Sequence, residues 1–457
     1  MLLRSSILGS LLTVGPIHAQ SYDWGWGPPI SVTQNGGTIT CTVLDPLTDQ
    51  IRTTNFSSVA SWTHDDGVVA TVSPTGTVRA VVYDIDLAMF RESLLSTNSG
   101  NTCINSDGVV AWVSEAGTVG VAQYDPARQQ WRQDQVSANS GNQIQNRDGV
   151  VSWVSDAGTV GAAVYDPGPG LWRSAQLSAN SGNVVLNRDG IVAWVSAAGT
   201  VGAAIYDPSL DAWRSAQLSA NAGNVPAIGQ GVVAWKSAAG TLGAAAYDWN
   251  INDWRSEQLS SSVSNTMPTI VDGTVHWSNS SGTHRYGFNA SGQWQNNVGT
   301  AVRCEYHAEA VGSGMPHIAY LWCLSIGASS YAHACGDGHT ITRRWGWKRY
   351  ANSGVYQLQL TAYSANASST CDGVLNFVGT GVDGTVPEQP TITWAGDRLH
   401  IAAPLPLGTV EVMDVGGRLL ATSRTNAMVV DVQAPLNEGI YLVRCGGWTV
   451  QRIVVVR

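Results

Sequence analysis

The sequence predicts an all-β protein whose largest part is a seven-bladed β-propeller, followed by two smaller β-domains. Each repeat contains four short runs rich in β-branched and aromatic residues, separated by turn signals. Four short antiparallel strands, followed by a longer link to a near copy, are typical of a propeller blade. The glycines that mark the repeat are 41 residues apart, or 42 in the last step: Gly67, Gly108, Gly149, Gly190, Gly231 and Gly273.

The repeat from Asp189 to Asn221 shows how the predicted strands are bounded. Asp189-Gly190 predicts a two-residue hairpin turn, because glycine tolerates the positive φ that this turn requires. Asp207-Pro208 predicts a second turn, since proline presets φ and aspartate bonds the backbone beyond it. The four predicted strands span 183–186, 191–196, 200–206 and 213–218.

Three aromatic positions recur, and each set is expected to lie between blades. The two middle strands of a repeat are apolar on nearly every residue, so neighbouring blades must cover both faces. Each buried indole would contribute about 2–3 kcal/mol. The first tryptophan set is Trp112, Trp153, Trp194, Trp235 and Trp277; the second is Trp131, Trp172, Trp213, Trp254 and Trp294; the tyrosine set is Tyr83, Tyr124, Tyr165, Tyr206 and Tyr247.

The first repeat is incomplete, which bears on how a ring would close. Residues 30–32 and 38–46 align with the middle strands, with Leu44 at the tyrosine position and Ile51 at the second tryptophan position. The first strand is missing or reduced to Asp23–Trp26. We expect that segment, or a strand near Ala301–Tyr306, to complete the blade and remove an open edge.

Composition and the first residues bear on location and partners. Charged residues make up 12% of the chain and the formal net charge is −9. No nucleic-acid partner is expected, because a phosphate backbone needs clustered Lys and Arg. Residues 1–19 combine Arg4, an apolar run and the small residue Ala19, which predicts a secretory signal peptide. No later segment is long and apolar enough to predict a membrane-spanning helix.

Cysteine spacing argues against a metal centre. No pair has zinc-site spacing, so we expect neither a structural metal nor a cofactor. Export permits disulfides, and the odd number leaves at least one thiol outside an intramolecular pair. Those at 304, 323, 335 and 371 allow three pairings, among which the sequence does not choose. The seven cysteines are at 41, 103, 304, 323, 335, 371 and 445.

One part of the repeat is similar to a known family. A Tyr-Asp-Pro turn follows an apolar strand, and a tryptophan stands seven residues after the tyrosine, as at Tyr206 and Trp213. This pattern resembles the kelch-type propeller repeat. Ala-Gly stands where the kelch signature has paired glycines. The predicted propeller occupies residues 20–300.

Residues 301–380 lack the 41-residue period and contain a different pattern. Residues 356–360 alternate in polarity, which predicts a strand with one buried face. The Gly-Asp-Gly turn and a later Tyr-Ala-x-x-Gly-x-Tyr strand resemble the PKD-type immunoglobulin-like β-sandwich. That resemblance implies a spacer or adhesion module without catalysis, and we expect Asp337 to be a turn residue rather than a ligand carboxylate. The matching positions are Gly336, Asp337, Gly338, Tyr350, Gly354 and Tyr356.

The C-terminal region begins after a predicted linker at 381–390. Residues 391–457 predict a small sandwich of at most seven short strands, which resembles the C-terminal sorting domain of type IX secretion substrates. The resemblance implies export across the outer membrane by the type IX machinery, after which the remainder is released or tethered to the cell surface. The alternative is one more structural sandwich. The matching positions are Gly417, Arg418, Gly439 and Tyr441.

No catalytic, binding or metal residue can be assigned from the sequence. Catalysis on a propeller needs a few unlike residues around its axis, whereas these blades are near copies of one another. We expect the repeated arginines to pack or face solvent, and the loosely grouped histidines to be satisfied or solvated. The arginines are Arg132, Arg173, Arg214 and Arg255, and the histidines are His276, His284, His307 and His317.

Two functions therefore stay open. In the first, the propeller is the recognition platform of a secreted or cell-surface binding protein whose ligand is a glycan or another surface protein. In the second, it is a secreted hydrolase or lyase that acts on polysaccharide through residues of the irregular first and seventh blades. The similarity of the blades favours binding over catalysis.

Overall fold

The computed structural model describes residues 27–140, 142–180, 183–311, 317–377, 391–395, 398–403, 407–414, 418–425, 429–433, 439–445 and 451–455. All regular elements in these residues are β-strands. The predicted all-β fold of β-propeller blades followed by β-sandwich strands is confirmed. The chain divides into two compact units, Met1–Val378 and Gly379–Arg457.

Seven antiparallel sheets follow one another along the chain, and each is one blade. Blade 1 has three strands, blades 2 to 7 have four, and strands pair in chain order within each blade. The predicted Asp-Gly turn has φ of 55° at Asp189 and 74° at Gly190, as a type I′ hairpin requires. The strands are β1 (Ser31–Asn35), β2 (Thr38–Asp45) and β3 (Gln50–Phe56) in blade 1; β4 (Ser61–Asp65), β5 (Val68–Val72), β6 (Val78–Asp84) and β7 (Met89–Ser96) in blade 2; β8 (Thr102–Ser106), β9 (Val109–Val113), β10 (Val119–Asp125) and β11 (Gln130–Ser137) in blade 3; β12 (Gln143–Arg147), β13 (Val150–Val154), β14 (Val160–Asp166) and β15 (Leu171–Ser178) in blade 4; β16 (Val184–Arg188), β17 (Ile191–Val195), β18 (Val201–Asp207) and β19 (Ala212–Ser219) in blade 5; β20 (Val225–Gly229), β21 (Val232–Lys236), β22 (Leu242–Asp248) and β23 (Asp253–Ser260) in blade 6; and β24 (Thr269–Val271), β25 (Thr274–Asn279), β26 (Gly282–Phe288) and β27 (Trp294–Asn296) in blade 7.

The middle strands of the inner blades are buried on both faces, as their continuous apolar runs predict. Every residue of β10, β18 and β22 is buried. Glycine and alanine fill many positions of these strands, so that neighbouring sheets can approach closely. The hydrophobic cores accordingly extend from one blade into the next.

Blades 1 and 7 each have one uncovered face. In blade 1, Leu44 is 57% exposed and Ile51 is 71% exposed. In blade 7, Thr283 and Arg285 are exposed on β26. The first and last blades are therefore not packed face to face through these surfaces. Apart from Leu44 and Ile51, the outer face of blade 1 is polar, with Thr40, Thr53 and Asn55 on it, as is typical of the terminal units of a repeat array.

Residues 306–377 form a β-sandwich of two sheets. Their order is β28-β29-β32 and β31-β30-β33-β34, and both contribute to one core that includes Leu321, Leu358 and Leu375. A disulfide joins Cys304 to Cys371, one of the pairings that the sequence left open. The strands are β28 (Tyr306–Val311), β29 (His317–Cys323), β30 (Ser330–Ala334), β31 (Thr340–Ile341), β32 (Trp345–Tyr350), β33 (Gly354–Tyr363) and β34 (Ser368–Phe377).

The strand expected near Ala301–Tyr306 does not complete blade 1, so that prediction is wrong. Arg303 forms a bridge with Ile326, and Tyr306 begins β28, which pairs with β29. These backbone groups find partners in the adjoining sandwich, which is nearer along the chain than blade 1. The other proposed closing segment, Asp23–Trp26, lies outside the described residues, as does the predicted signal peptide at 1–19.

The described residues of the C-terminal unit contain seven strands, the number that the sequence predicted as its maximum. They form two sheets, β35-β36-β39 and β38-β37-β40-β41, around a core that includes Leu399, Ile401 and Val410. The predicted linker at 381–390 lies outside the described residues. The strands are β35 (Thr391–Ala395), β36 (Arg398–Ala402), β37 (Gly408–Asp414), β38 (Leu419–Thr425), β39 (Val429–Gln433), β40 (Gly439–Cys445) and β41 (Gln451–Val455).

Candidate functional site

Two of the aromatic sets connect each blade to the blade before it. In the tyrosine set, Oη of Tyr165 donates to Oδ2 of Asp125 at 2.7 Å. In the second tryptophan set, Nε1 of Trp172 donates to the carbonyl oxygen of Arg132 at 3.1 Å, and the other four members make the equivalent bond. Tyr124, Tyr206 and Tyr247 bond to an aspartate of the preceding blade in the same way, so both sets hold successive blades together.

The first tryptophan set is seated differently. The indole of Trp194 lies against Gly202 of the paired strand, where an added Cβ would lie 2.3 Å from the ring. Glycine is required at this position because any side chain would displace the ring. Only 6% of Trp194 is exposed. In blade 7, His284 replaces the glycine, and its ring stacks on Trp277 with centroids 5.3 Å apart.

Three equivalent grooves lie between successive blades. Their volumes are about 390 Å³ between blades 2 and 3, about 250 Å³ between blades 4 and 5, and about 240 Å³ between blades 5 and 6. One wall is the link that leaves the earlier blade, and the other is the fourth strand of the later blade. The floor of each contains one member of the first set, Trp112, Trp194 or Trp235.

Uncharged polar side chains line most of each groove. The groove between blades 4 and 5 has Asn180, Ser215 and Gln217 around Trp194, and no charged residue lines it. Each of the other two grooves contains one acidic residue: Asp134 in the groove between blades 2 and 3, and Glu257 in the groove between blades 5 and 6. Side-chain amides and hydroxyls both donate and accept hydrogen bonds. The grooves are thus suited to neutral ligands rich in hydroxyl groups.

The Asp-Gly turns of successive blades form a second candidate site. The backbone N–H of Asp148 donates to Oδ2 of Asp107 at 2.8 Å, and that of Asp189 donates to Oδ2 of Asp148 at 2.6 Å. Each turn carboxylate therefore holds the next turn. Asp107 and Asp148, together with Asp66 and Arg343, line a cavity of about 270 Å³.

One part of this acidic cluster has the geometry of a metal site. Oxygens of Asp65, Asp66 and Asp107 lie within 4.8 Å of one another, the one such group in the described part of the chain. Burial raises the pKa of the Asp107 carboxyl. Asp65 already accepts the N–H of Asp107 at 2.9 Å, and Asp66 pairs with Arg343 at 2.6 Å. A guanidinium and a backbone donor therefore already balance part of the negative charge.

The first sheet of the sandwich covers the turn ends of several blades. Tyr320 is fully buried, and its ring centroid lies 5.2 Å from that of Trp347. Trp347 in turn contacts Tyr165 of blade 4 at 6.5 Å, and Trp322 stacks on Tyr206 of blade 5 at 5.6 Å. These rings belong to the same hydrophobic core as blades 2 to 5. This sheet is therefore packed into the blade array.

Ion pairs reinforce this contact. Arg344, whose side chain is 10% exposed, lies 3.2 Å from Oδ1 of Asp189 in blade 5 and also donates to Oη of Tyr331. Arg343 pairs with Asp66 in blade 2 and is 36% exposed. The acidic turns of the blades thus provide counter-charges for two consecutive arginines of the sandwich.

The repeated arginines and the scattered histidines have structural neighbours. Arg173 pairs with Asp166 at 3.0 Å within blade 4. His317 packs on Phe377 with ring centroids 5.3 Å apart. His276 lies in β25 and His307 in β28. Among the described residues these histidines belong to no group of three side chains close enough to share a metal ion.

The PKD-like positions surround a buried ion pair. Oδ2 of Asp337 lies 2.8 Å from Nζ of Lys348, which is 1% exposed. Burial alone would raise the pKa of Asp337, but the hydrogen bond and the positive charge of Lys348 outweigh this effect, so the pKa of Asp337 is lowered. The rings of Tyr350 and Tyr356 lie 4.2 Å apart. Gly336, Asp337 and Gly338 form the turn before β31, Tyr350 ends β32, and Gly354 and Tyr356 lie in β33.

Acidification is expected to destabilise the Met1–Val378 unit through His333. This ring is 3% exposed, and burial lowers the pKa of His333 to about 4. The unfolded chain binds the proton near the ordinary pKa of about 6.5. The folded state therefore keeps its full stability above about pH 6.5, the pKa of histidine in the unfolded chain. Between that pH and about pH 4, the pKa of His333 in the folded protein, the free energy of unfolding falls by about 3 kcal/mol. Urea unfolding measures the free energy of unfolding near pH 7 and near pH 4. The decrease between these two pH values should be smaller for His333→Gln than for the wild type, and equal decreases would contradict the prediction.

Two of the sorting-domain positions lie on one sheet of the C-terminal unit, and a third lies in a hairpin of that sheet. Gly439 and Tyr441 belong to β40, where Tyr441 pairs with Asp414 of β37. The backbone N–H of Arg418 donates to Oδ1 of Asp414 at 2.9 Å, which holds the hairpin between β37 and β38. Gly417 lies outside the described residues. Gly439 and Tyr441 are therefore on the sheet β38-β37-β40-β41, and Arg418 is in the hairpin that joins β37 to β38.

Comparison with known proteins finds similarity only among solved structures. Neither a protein-family model nor a curated protein matches the sequence. A structure of PorZ, a surface component of the type IX secretion system of Porphyromonas gingivalis, matches with 12% identity and a TM-score of 0.22, over 96% of this chain and 70% of that one. BamB from Moraxella catarrhalis matches with 11% identity and a TM-score of 0.25, over 72% of this chain and 98% of that one. Sqt1 from Saccharomyces cerevisiae matches with 11% identity and a TM-score of 0.26, over 70% of this chain and 96% of that one.

TM-scores this low support no inference about function, so function has to be argued from the residues of this chain. No helix in the described ranges has the length and hydropathy needed to cross a bilayer.

Proposed function

We propose that this chain is a secreted or cell-surface binding protein that uses its blade array as a recognition platform and its C-terminal unit as a type IX export signal. The observation that carries the recognition role is the set of three equivalent grooves between blades. Each has a tryptophan in its floor and exposed amides in its walls. Concave sites with an aromatic surface and a few polar groups are the usual form of a ligand site.

The export role is supported by the C-terminal unit itself. It is compact, contains seven strands and has a core of its own. Two of its sorting-domain positions, Gly439 and Tyr441, lie on one sheet, and Arg418 lies in a hairpin of that sheet. A unit of this kind can be recognised, and later removed, without unfolding the preceding residues.

Removal of residues 391–457 is expected to abolish surface display in a bacterium that has a type IX secretion system. The protein should then accumulate in the periplasm, because the signal peptide alone carries it across the inner membrane. Antibody accessibility on intact cells, compared with total protein after lysis, measures this. Val429→Ala, at a position that is 51% exposed, is the matched control and should be displayed normally. Surface display of the truncated chain would refute the export role.

A polysaccharide hydrolase or lyase is the second candidate, and the acidic cavity is the observation that favours it. Carboxylates at Asp66, Asp107 and Asp148 line it, and burial raises the pKa of Asp107, as a general acid requires. However, these carboxylates also bind turn N–H groups and arginines of the sandwich. Sugar release that is lost in Asp107→Asn would favour this candidate over the binding role.

A further inference from the structure

We propose that the grooves between blades are equivalent subsites for a neutral polysaccharide, so that one blade array binds this ligand multivalently. This deepens the recognition role proposed above and rests on it. The proposal concerns the three grooves described between blades 2 and 3, 4 and 5, and 5 and 6. Exposed glutamines that line them are Gln135, Gln217 and Gln258.

The floor of each groove presents the edge of a largely buried indole, and that edge carries a free donor. In blades 3, 5 and 6 the indole is held against the sheet by a facing glycine, so its orientation is the same at each site. Nε1 of Trp112, Trp194 and Trp235 has no hydrogen-bond partner among the described residues. Because only 5–6% of each tryptophan is exposed, a sugar would use this edge through its hydroxyl oxygen, which accepts a hydrogen bond from Nε1, and would not stack on the ring.

The walls provide hydrogen-bonding groups that the fold does not use. The side-chain amides of Gln135, Gln217 and Gln258 are exposed and make no hydrogen bond within the described part of the chain. An amide has two donors and an acceptor, and a sugar hydroxyl can serve as either partner. The same residue type recurs at the same place in all three grooves, so the chemistry of recognition repeats with the blade.

Charge selects among ligand classes. No lysine or arginine lines any of the three grooves, and the groove between blades 4 and 5 has no charged residue at all. Phosphate, sulfate or uronate groups would find no counter-charge there. An extended peptide is the competing class, but it would have to pair with the backbone of a fourth strand, and the free groups here are side-chain amides. A neutral glycan uses those amides directly.

Repetition raises affinity when the ligand is a polymer. Once one sugar segment is bound, neighbouring segments reach the next groove at a high effective concentration, so that weak single sites combine into strong binding. A long chain should therefore bind far more tightly than its disaccharide. Loss of one site should have a moderate effect, and loss of all three a large one.

The test is affinity electrophoresis of the full purified chain in gels that contain laminarin, xylan, mannan or heparin. At least one of the three neutral polysaccharides should retard the wild type, and heparin should not. Each single Gln→Ala variant should weaken binding about fivefold, and the triple variant Gln135→Ala, Gln217→Ala, Gln258→Ala about a hundredfold. Gln50→Ala is the matched control, because Gln50 is an exposed glutamine in the last strand of blade 1, away from the three grooves.

Several results would overturn the proposal. These are unchanged retardation of the triple variant, retardation by heparin alone, absence of retardation by all three neutral polysaccharides, or binding of an extended peptide that competes for the same glutamines. Far-ultraviolet circular dichroism of each variant separates lost binding from lost folding. Normal surface display, with adhesion that depends on the blades but not on these glutamines, would leave the proposed function standing while the glycan assignment fails.

Discussion

Replacement of Tyr320 by alanine is expected to lower the free energy of unfolding of the Met1–Val378 unit by about 3–5 kcal/mol. Tyr320 is fully buried among Trp322, Trp345 and Trp347. Its removal would leave a cavity where the sandwich meets the blades, and both sides are too closely packed to collapse around it. Urea unfolding followed by tryptophan fluorescence measures the change.

Tyr320→Phe is the matched control for this prediction. Oη of Tyr320 is buried without a hydrogen-bond partner among the described residues. Removal of an unsatisfied hydroxyl should be neutral or slightly stabilising, because its desolvation is uncompensated. If the alanine and phenylalanine variants were equally stable, the ring would not contribute to a shared core, and the docking of the sandwich on the blades would have to be abandoned.

Arg344→Ala is expected to cost about 3–5 kcal/mol, because it leaves the carboxylate of Asp189 without its nearly buried partner. Arg343→Ala, in the adjacent position, should cost about 1 kcal/mol or less, because its pair with Asp66 is more exposed and water screens it. The exposed fractions of the two arginine side chains, 10% and 36%, decide this difference. Urea midpoints of the two variants, measured side by side, provide the comparison.

Double variants show whether the larger effect belongs to the pair. Asp189→Asn alone should also destabilise, but the combination with Arg344→Ala should cost less than the two single effects added together. Strict additivity would mean that Arg344 acts through packing against Tyr331, whose ring it overlies at 5.7 Å, rather than through its charge.

The repeat made most of the blade structure predictable. Period, turn type and alternation are local properties, and the positive φ at Asp189 and Gly190 follows from the Asp-Gly dipeptide itself. The expectation that tryptophans lie between blades also held, since a set of large apolar side chains repeated on every blade has to be covered. Which set would hydrogen-bond and which would line grooves could not be predicted, because that depends on the partner strand.

Closure of the array and docking of the sandwich were the points at which sequence reasoning failed. It assumed that the ends of the repeat must meet, and that either residues near Tyr306 or the segment Asp23–Trp26 would provide the missing strand; the first alternative was wrong, and the second lies outside the described residues. The threonines and the asparagine of β2 and β3 were a signal that blade 1 has a solvent-facing side. The apolar run from Ile318 to Cys323 was a signal that β29 is covered on both faces, since alternation is expected when only one face is buried.

The grooves between blades, too, were only partly predictable from the sequence. The glutamines of the grooves were unremarkable in the sequence, because an exposed polar residue on an outer strand needs no special explanation. The role proposed for them rests on what lies opposite them: a tryptophan held by a glycine, and a link that comes from another blade. One signal in the sequence was the exact recurrence of Trp, Gly and Gln at the same offsets in each of blades 3 to 6.

The amino-acid sequence alone determined that this chain is a repeat of four-stranded blades followed by sandwich strands, because turns and strand periodicity depend on residues close together in the chain. Only the tertiary structure decided that the end faces stay uncovered, that the acidic turns receive Arg343 and Arg344 of the sandwich, and that grooves open between blades. These features depend on contacts between residues far apart in the chain, such as Arg132 with Trp172 and Asp66 with Arg343, and the energies of these contacts are set by burial and geometry rather than by local pattern.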